Sequence, residues 1–261
     1  MISILIVVPT LDSYRLLPRL VQSLEQQSFV NWRVLFVDGD SMREHKEWLV
    51  QQCVKDQRFH WEDEINPGGG IFAAMNQGFM RAEKDDWVLF WGSDDMAADS
   101  EIFKQVNDTI MATMKKPDLY ICSARYYSME HLLEHSSLEL NRVSRFRFTR
   151  SLRHSLFWGA TPPHQATFFG PGARYLLHRY NDRFKLTGDL DYYLRLSKFS
   201  KLKILVDSSI LVLMGDSGAS AIQSRRKYRE VIQSYREAFG WSWIIAFTSR
   251  YIQRFINLIW Q

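Results

Sequence analysis

The chain has only two cysteines in 261 residues, Cys53 and Cys122, which excludes a disulfide framework and suits a reducing cytosol. Its opening, MISILIVVPT, has no basic leader and reaches Pro9 after one short apolar run. That run is too brief for a signal peptide or a membrane span and reads as a first strand. No internal repeat, low-complexity tract or clear linker divides the chain. The glycine run NPGGG is not followed by Gly-Lys-Ser/Thr, and no GxGxxG follows the first strand. Both the Walker A and the dinucleotide fingerprints are therefore missing. The formal sequon Asn107-Asp108-Thr109 is set aside in a chain that reads as cytosolic.

What is present is an ordinary apolar share, 46%, enough for a sizeable core. The net charge of +4 hides an asymmetry. Residues 1–140 carry 13 Lys and Arg against 22 Asp and Glu, a balance of −9, whereas residues 141–261 carry 20 against 7, a balance of +13. The second half is suited to face something anionic, such as a membrane surface, phosphates or nucleic acid.

The runs ISILIVVPT and WRVLFVDGD, rich in β-branched and aromatic residues and closed by turn chemistry, predict strands. Between them Leu16, Leu17, Leu20, Val21 and Leu24 fall at helical spacing. A helix over 43–55, a short strand at RFHWEDE, the NPGGG loop, a helix from IFAAMN and a strand at 87–91 follow. That rhythm predicts an α/β fold with a mostly parallel central sheet covered by helices on both faces. Ligands in such sheets bind beyond the carboxyl ends of the strands, where Pro9, Thr10, Asp38, Asp94 and Asp95 fall. Beyond residue 100 the pattern predicts a helix near 99–115, a strand at DLYICSARYY, a strand at ATFFG, helices from about 172 and through LTGDLDYYLRLSKF, and one or two strands in KLKILVDSSILVLM. Residues 130–160 stay unassigned, with five arginines between 142 and 153, and the chain from 224 reads as helical.

In WVLFWGSDDMAAD, Asp94 and Asp95 are delivered side by side by an apolar strand. Adjacent like charges repel unless a cation sits against them, and oxygen-only ligands suit Mg²⁺ or Mn²⁺. The plain alternative is an acidic turn that caps the next helix. NPGGG offers backbone amides to an anion at a helix N-terminus, or is simply a tight turn. HLLEH, from His131 to His135, matches an inverted zinc-protease pattern, but its polar surroundings favour solvated histidines over a zinc site. Asp189 and Asp191 in LTGDLDYYLRL are two apart and cannot share a helix face. Asp189 is either a helix cap or a general base. His164 and Gln165 in PPHQ are a polar pair at the mouth of a strand.

Taken in order, Pro9-Thr10, VDGDS (37–41), GGIFAAMNQG, SDD, PPHQATFFG and GDLDYYLRL resemble the inverting family-2 nucleotide-sugar glycosyltransferases of GT-A fold, over about residues 2–220. The likeness is greatest to bacterial enzymes that build O-antigen, lipopolysaccharide, capsule and other surface polysaccharides. The resemblance implies that Pro9, Thr10 and Asp12 lie along the nucleotide and that Asp38 binds its base, usually uracil. It implies that Gly70, Met75 and Asn76 line the ribose, diphosphate and sugar region, that Asp94 contacts the nucleotide or sugar, and that Asp95 holds Mn²⁺ or Mg²⁺. Asp189 matches the catalytic base, with Asp191 the second choice, and His164 and Gln165 match a motif near the acceptor. Three positions depart from the family pattern: Ala73 stands where an acidic residue is common, Asp40 where a glycine or another small residue is frequent, and Trp91-Gly92 where Leu-Asn or Leu-Gly is usual. The domain reading is a catalytic domain over 1–222, with a nucleotide-binding half to about 98 and an acceptor half beyond it, then a helical tail over 223–261.

GWSWIIAFTSRYIQRFINLIWQ carries six aromatics and two arginines, Arg250 and Arg254. It fits an amphipathic helix at the inner face of the cell membrane better than a span, with the protein body or a second copy of the chain as the other cover for its apolar side. A glycan or polyprenyl-diphosphate-linked acceptor follows by family analogy. Two other classes compete with this reading. A nucleotidyltransferase, or a catalytically altered GT-A-like binding protein, would accommodate the sheet but normally shows a Gly-rich basic signature after the first strand. A nucleic-acid module would use RFRFTR, but leaves the acidic strand ends unexplained.

Overall fold

The computed structural model describes residues 1–216 and 224–259, with side chains described for 1–216 and 225–253. The expected domain boundary at 222/223 lies outside the described residues. So does the side chain of Arg254.

The first strand, β1 (Ser3–Thr10), leads through α1 (Leu17–Glu25) to β2 (Trp32–Asp38), and α2 (Arg43–Lys55) leads to β3 (Phe59–Asp63). Helix α3 (Ile71–Arg81) then returns the chain to β4 (Asp86–Phe90), on the opposite side of β1 from β2. These four strands are parallel. Along β1, Ile4, Ile6 and Val8 enter one core with α1, whereas Leu5 and Val7 enter another with α3. Both faces of the strand are buried, which explains an unbroken apolar run in place of alternation. Gly78 lets α3 lie close, since a Cβ there would sit 2.5 Å from the Val7 methyls.

The register sets the working edge. Thr10 lies opposite Asp38, and Val7 opposite Phe90, so the loops after β1, β2 and β4 leave from one edge. Because the chain moves outward one way to β2 and β3 and returns on the other side as β4, that edge is a topological switch point.

Beyond β4 the sheet is mixed. After β5 (Met96–Ala97) and α4 (Ile102–Ala112) come β6 (Leu119–Tyr127), α5 (Met129–His135), β7 (Leu140–Ser144) and α6 (Leu152–Phe157). A 3-10 turn at His164–Ala166 opens β8 (Thr167–Phe169), followed by α7 (Pro171–Leu176), α8 (Gly188–Leu196) and β9 (Ile204–Gly215). The order β3-β2-β1-β4-β8-β6-β9-β5, with β7 beside β6, makes nine strands among the described residues. Strand β8 runs antiparallel to β4 and β6, whereas β6 and β9 are parallel. The expectation of parallel strands thus describes the first half, and the antiparallel insertion of β8 belongs to the second. KLKILVDSSILVLM forms one strand, and the unassigned stretch 130–160 contains α5, β7 and α6.

Helices α9 (Ser224–Phe239) and α10 (Trp243–Ile259) share a core with α3 and α8: Val231, Tyr235, Phe239 and Ala246 are buried there. Trp241, Ile244, Ile245 and Ile252 face outward. No helix among the described residues is long and apolar enough to cross a membrane.

Candidate active site

The loop after β4 is held from three sides. The Trp91 indole N–H donates to the Gln165 carbonyl at 2.9 Å, the Tyr127 hydroxyl donates to the Asp94 carbonyl at 2.7 Å, and the Ser13 and Ser93 hydroxyls meet at 2.8 Å. Asp95 is 2% exposed, and its Oδ2 accepts the Gly92 N–H at 2.5 Å. Asp94 is half-buried. Burial pushes both carboxyls up, and the charge of Asp94 raises Asp95 further. Among the described residues neither has an ion-pair partner.

Glycine keeps room around the pair. A Cβ at Gly92 would lie 2.8 Å from the Asp94 carboxylate, and one at Gly215 would strike it. Two crowded carboxylates, one buried and one half-buried, without a countercharge suit a hard divalent cation. Among the described residues no three His, Cys, Asp or Glu side chains gather to hold a metal ion. A cation at Asp94 and Asp95 would therefore take further oxygen ligands from a bound substrate or water.

At the ends of β1 and β2 the carboxylates organise backbone. Asp38 is wholly buried: its oxygens accept the Thr10 hydroxyl at 3.2 Å, the Ser41 N–H at 2.9 Å and the Ser41 hydroxyl at 2.5 Å. The His45 imidazole lies 3.3 Å away, and its own pKa is lowered by burial, against the pull of Asp38. Asp12 accepts the Met42 N–H at 2.7 Å and donates its own N–H to Ser41 at 2.8 Å, tying the two loops together beside half-buried Pro9. Asp40, at the position where small residues are frequent in the family, has φ 69°, in the left-handed region that Asp tolerates.

Gly70 starts α3 with φ 83°, and the Lys185 ammonium donates to the Gly69 carbonyl in front of it. Met75 is a core residue. Asn76 clamps the segment before α8: it accepts the Tyr180 N–H at 2.7 Å and donates to the Tyr180 carbonyl at 3.2 Å and to Asp182 at 2.9 Å. Asn76 thus acts on the loop at 180–182, and Met75 packs in the core.

Helix α8 separates its two acids. Asp191, 2% exposed, pairs with Arg195 at 2.7 Å; burial pushes its carboxyl up, and Arg195 opposes this. Asp189, in the same first turn, opens instead into a cavity of about 310 Å³ together with His164, Gln165, Tyr126 and Met214. Asp189 and Asp191 point apart, as the helical spacing requires. The N-terminus of α8 is fixed by Glu230 of α9, which accepts the N–H groups of Lys185, Leu186 and Thr187 at 3.1, 2.9 and 3.0 Å. Burial raises the Glu230 pKa, but those backbone donors outweigh it and hold the carboxyl low. His164 stacks on Phe90, and its Nε2 lies 2.8 Å from the Tyr180 hydroxyl. Burial lowers its pKa to about 4, with Asp189 opposing, so the ring is neutral at physiological pH.

The cavity adjoins the Asp94–Asp95 loop. Tyr126 and Met214 line it while Tyr127 and Gly215 touch Asp94, and Gln165 lines it while holding Trp91. A larger cavity of about 380 Å³, lined by Arg19, Met96, Leu132 and Leu213, contains none of these groups. His131 and His135 lie on α5, outside both constellations.

Against known proteins, the glycosyl transferase family 2 profile matches residues 5–170. The chain belongs to this family, and its curled α/β sheet with C-terminal helices is the GT-A architecture expected of a glycosyltransferase. No curated protein sequence matches it. Among solved structures, TarS of S. aureus superposes over 90% of this chain and 39% of its own, at 16% identity and a TM-score of 0.66. The chain thus spans well under half of that protein. TarS 1–349 in complex with UDP-GlcNAc superposes over 91% of this chain and 68% of its own, at 17% identity and a TM-score of 0.67. The mannosyltransferase PcManGT from Pyrobaculum calidifontis, in complex with GDP-Man and Mn2+, does so over 95% and 73%, at 11% identity and a TM-score of 0.62.

Sequence reading misses Tyr127, Gly215, Glu230 and Arg250. Each reaches the site from an element far away along the chain, and no local pattern marks them. Only the run RFRFTR, with Arg145 and Arg147 around an aromatic, carries a signal, as a cluster of cations.

Proposed function

We propose that this glycosyltransferase moves a sugar from a nucleotide-sugar, UDP-linked, to a hydroxyl of a lipid-linked or oligosaccharide acceptor, with inversion, in surface polysaccharide synthesis of the O-antigen type. The observation that carries the reading is one juxtaposition. An uncompensated carboxylate pair at the switch point lies next to a cavity in which Asp189 is the one carboxylate.

Asp94 and Asp95 are suited to hold Mg²⁺ or Mn²⁺, which when bound would offset the charge that builds on a departing nucleoside diphosphate. The donor lies along Pro9, Thr10 and Asp12, with Gly70 at the rim, Asp38 and Asn76 bracing the loops around it and Met75 packed beneath. Asp189 takes the proton of the acceptor hydroxyl as that oxygen attacks the anomeric carbon, and direct displacement from the opposite side inverts the centre. Asp191, spent on Arg195, is poorly placed for this task. His164 and Gln165 wall the acceptor side, where the imidazole is neutral.

The outward apolar residues of α10 support a peripheral position on the inner face of the cell membrane. Because Ala246 and Arg250 are buried, surface substitutions such as Ile245→Glu test this better than truncation.

The deciding experiment is calorimetric titration of the full chain with UDP, with and without Mn²⁺, repeated on Asp95→Ala. Metal-dependent binding that the variant loses supports the reading. Binding of GDP, TDP or CMP in place of UDP moves the donor class, and silence from all four removes the transferase reading in favour of a fold without its chemistry.

A further inference from the structure

We propose that the cavity beside Asp189 is a phosphate site, in which Arg250 of α10, with Arg145 and Arg147, grips a phosphate or diphosphate group of the acceptor. The inference rests on the reading of Asp189 as the acceptor-side base.

The cavity lining carries these three guanidiniums against one carboxylate, Asp189. That leaves a formal excess of two positive charges, which a phosphate or diphosphate ester balances and a single carboxylate does not. Arg250 is the strongest of the three. It is 7% exposed, its Nη1 donates to the Thr161 hydroxyl at 2.5 Å, and its Nε is buried without a hydrogen-bond partner. Among the described residues it has no acidic ion-pair partner. A guanidinium stays charged at every accessible pH, so burying one without an anion is costly unless the anion arrives with a ligand.

The fold holds Arg250 there by close backbone packing. Gly159, with φ 88°, lets α10 approach so closely that a Cβ would sit 2.6 Å from the Arg250 Cα. Arg145 and Arg147 flank buried Phe146, and both line the cavity. Both are exposed and, among the described residues, without ion-pair partners. Guanidinium forks match phosphate oxygens bidentately, which holds an acceptor by its anionic end and leaves Asp189 free for the hydroxyl proton. Helix α10, outside the family-matched residues, contributes Arg250 and Gln253 to the cavity lining.

The test is titration of the full chain, with UDP and Mg²⁺ saturating, against farnesyl diphosphate, inorganic pyrophosphate and uncharged farnesol. Farnesyl diphosphate is expected to bind at least about 10-fold more tightly than farnesol. Arg250→Gln should weaken it by roughly 10-fold and Arg145→Ala/Arg147→Ala by roughly 3- to 10-fold, the loss of one or two charge-assisted bonds. UDP affinity should stay within about two-fold in both. Pyrophosphate binding as tightly as farnesyl diphosphate supports recognition of the phosphate itself; tighter farnesyl diphosphate supports a lipid headgroup. Equal binding of farnesol, or wild-type affinity in both arginine variants, overturns the proposal. Should Arg250→Gln fail to fold, the exposed double variant decides. A wild-type chain that ignores UDP loses the transferase reading, while the arginine comparison still decides the phosphate site.

Discussion

Strand β4 begins at Asp86 and hands the chain on to Asp94 and Asp95, and the acids at its start and beyond its end meet opposite surroundings. Asp86 is 1% exposed and saturated: Arg33 grips it with two bonds of 2.9 and 2.5 Å, the Ser3 hydroxyl donates at 2.8 Å, and the Glu83 N–H at 2.6 Å. Asp95 is as buried, yet receives one backbone N–H and faces a second carboxylate. Helix α8 repeats the contrast within one turn, where Asp191 is paired and Asp189 opens into the cavity. Burial alone therefore does not separate a structural acid from one poised for a ligand. The partner does, because a buried charge must be compensated either by the chain or by what binds to it.

The largest effect should come from α8. Asp189→Asn is expected to lower sugar transfer by about 10²- to 10⁴-fold with little change in Tm, the usual contribution of a general base. Asp191→Asn should do the opposite, lowering Tm and leaving most of the transfer rate. A large activity loss in Asp191→Asn with Asp189→Asn active would reverse the roles.

Next come the two ends of β4, where amide substitution should have opposite signs. Asp86→Asn breaks a buried pair and should cost roughly 3 kcal/mol, read by urea denaturation. Asp95→Asn should raise the Tm of the ligand-free chain by roughly 2 °C or more at pH 7, the shift that about 1 kcal/mol produces at this size. Since burial raises the Asp95 pKa in the folded state, its penalty is absent below about pH 4, where the carboxyl is protonated folded and unfolded alike. It grows as pH rises through the folded value, so the gain in Asp95→Asn should vanish near pH 4. A loss of stability in both variants would break the comparison.

His164 sharpens it by charge sign. Its folded pKa of about 4 lies below the unfolded value of 6.5, so the stability linked to its neutral form is present above pH 6.5 and lost as pH falls toward 4. The full difference is on the order of 3 kcal/mol. His164→Asn should flatten that part of the stability–pH curve, and an unchanged curve would place the acid sensitivity elsewhere. The smallest effect is expected at the rim, where Ile245→Glu should weaken sedimentation with anionic vesicles several-fold while leaving UDP affinity intact; unaltered sedimentation would assign the outer face of α10 another cover.

The alternation of parallel strands and helices up to residue 90 was legible because each apolar run is bounded by turn chemistry and each helix shows its own spacing. Strand β5, with two residues, β7, with three of five exposed, and the short α6 carry too little periodicity to be read. Of the site, the sharing of one edge by Thr10, Asp38 and the Asp94–Asp95 loop followed from strand direction, and the divergence of Asp189 and Asp191 from helical geometry. That Asp38 would also hold Thr10, and Asn76 the Tyr180 backbone, did not follow, because those partners lie 28 and 104 residues away in sequence, although the Asp38–Ser41 turn is local.

The sequence by itself determined the fold class, the family and the delivery of acids to strand ends, because hydrophobic period and strand direction are local properties of the chain. Only the tertiary structure decided which acids are compensated. Arg33 reaches Asp86 and Glu230 caps α8 across long separations, while among the described residues Asp94 and Asp95 have no ion-pair partner. A charge's partner is fixed by distances through space, and these exist only once the sheet has curled and α10 has docked.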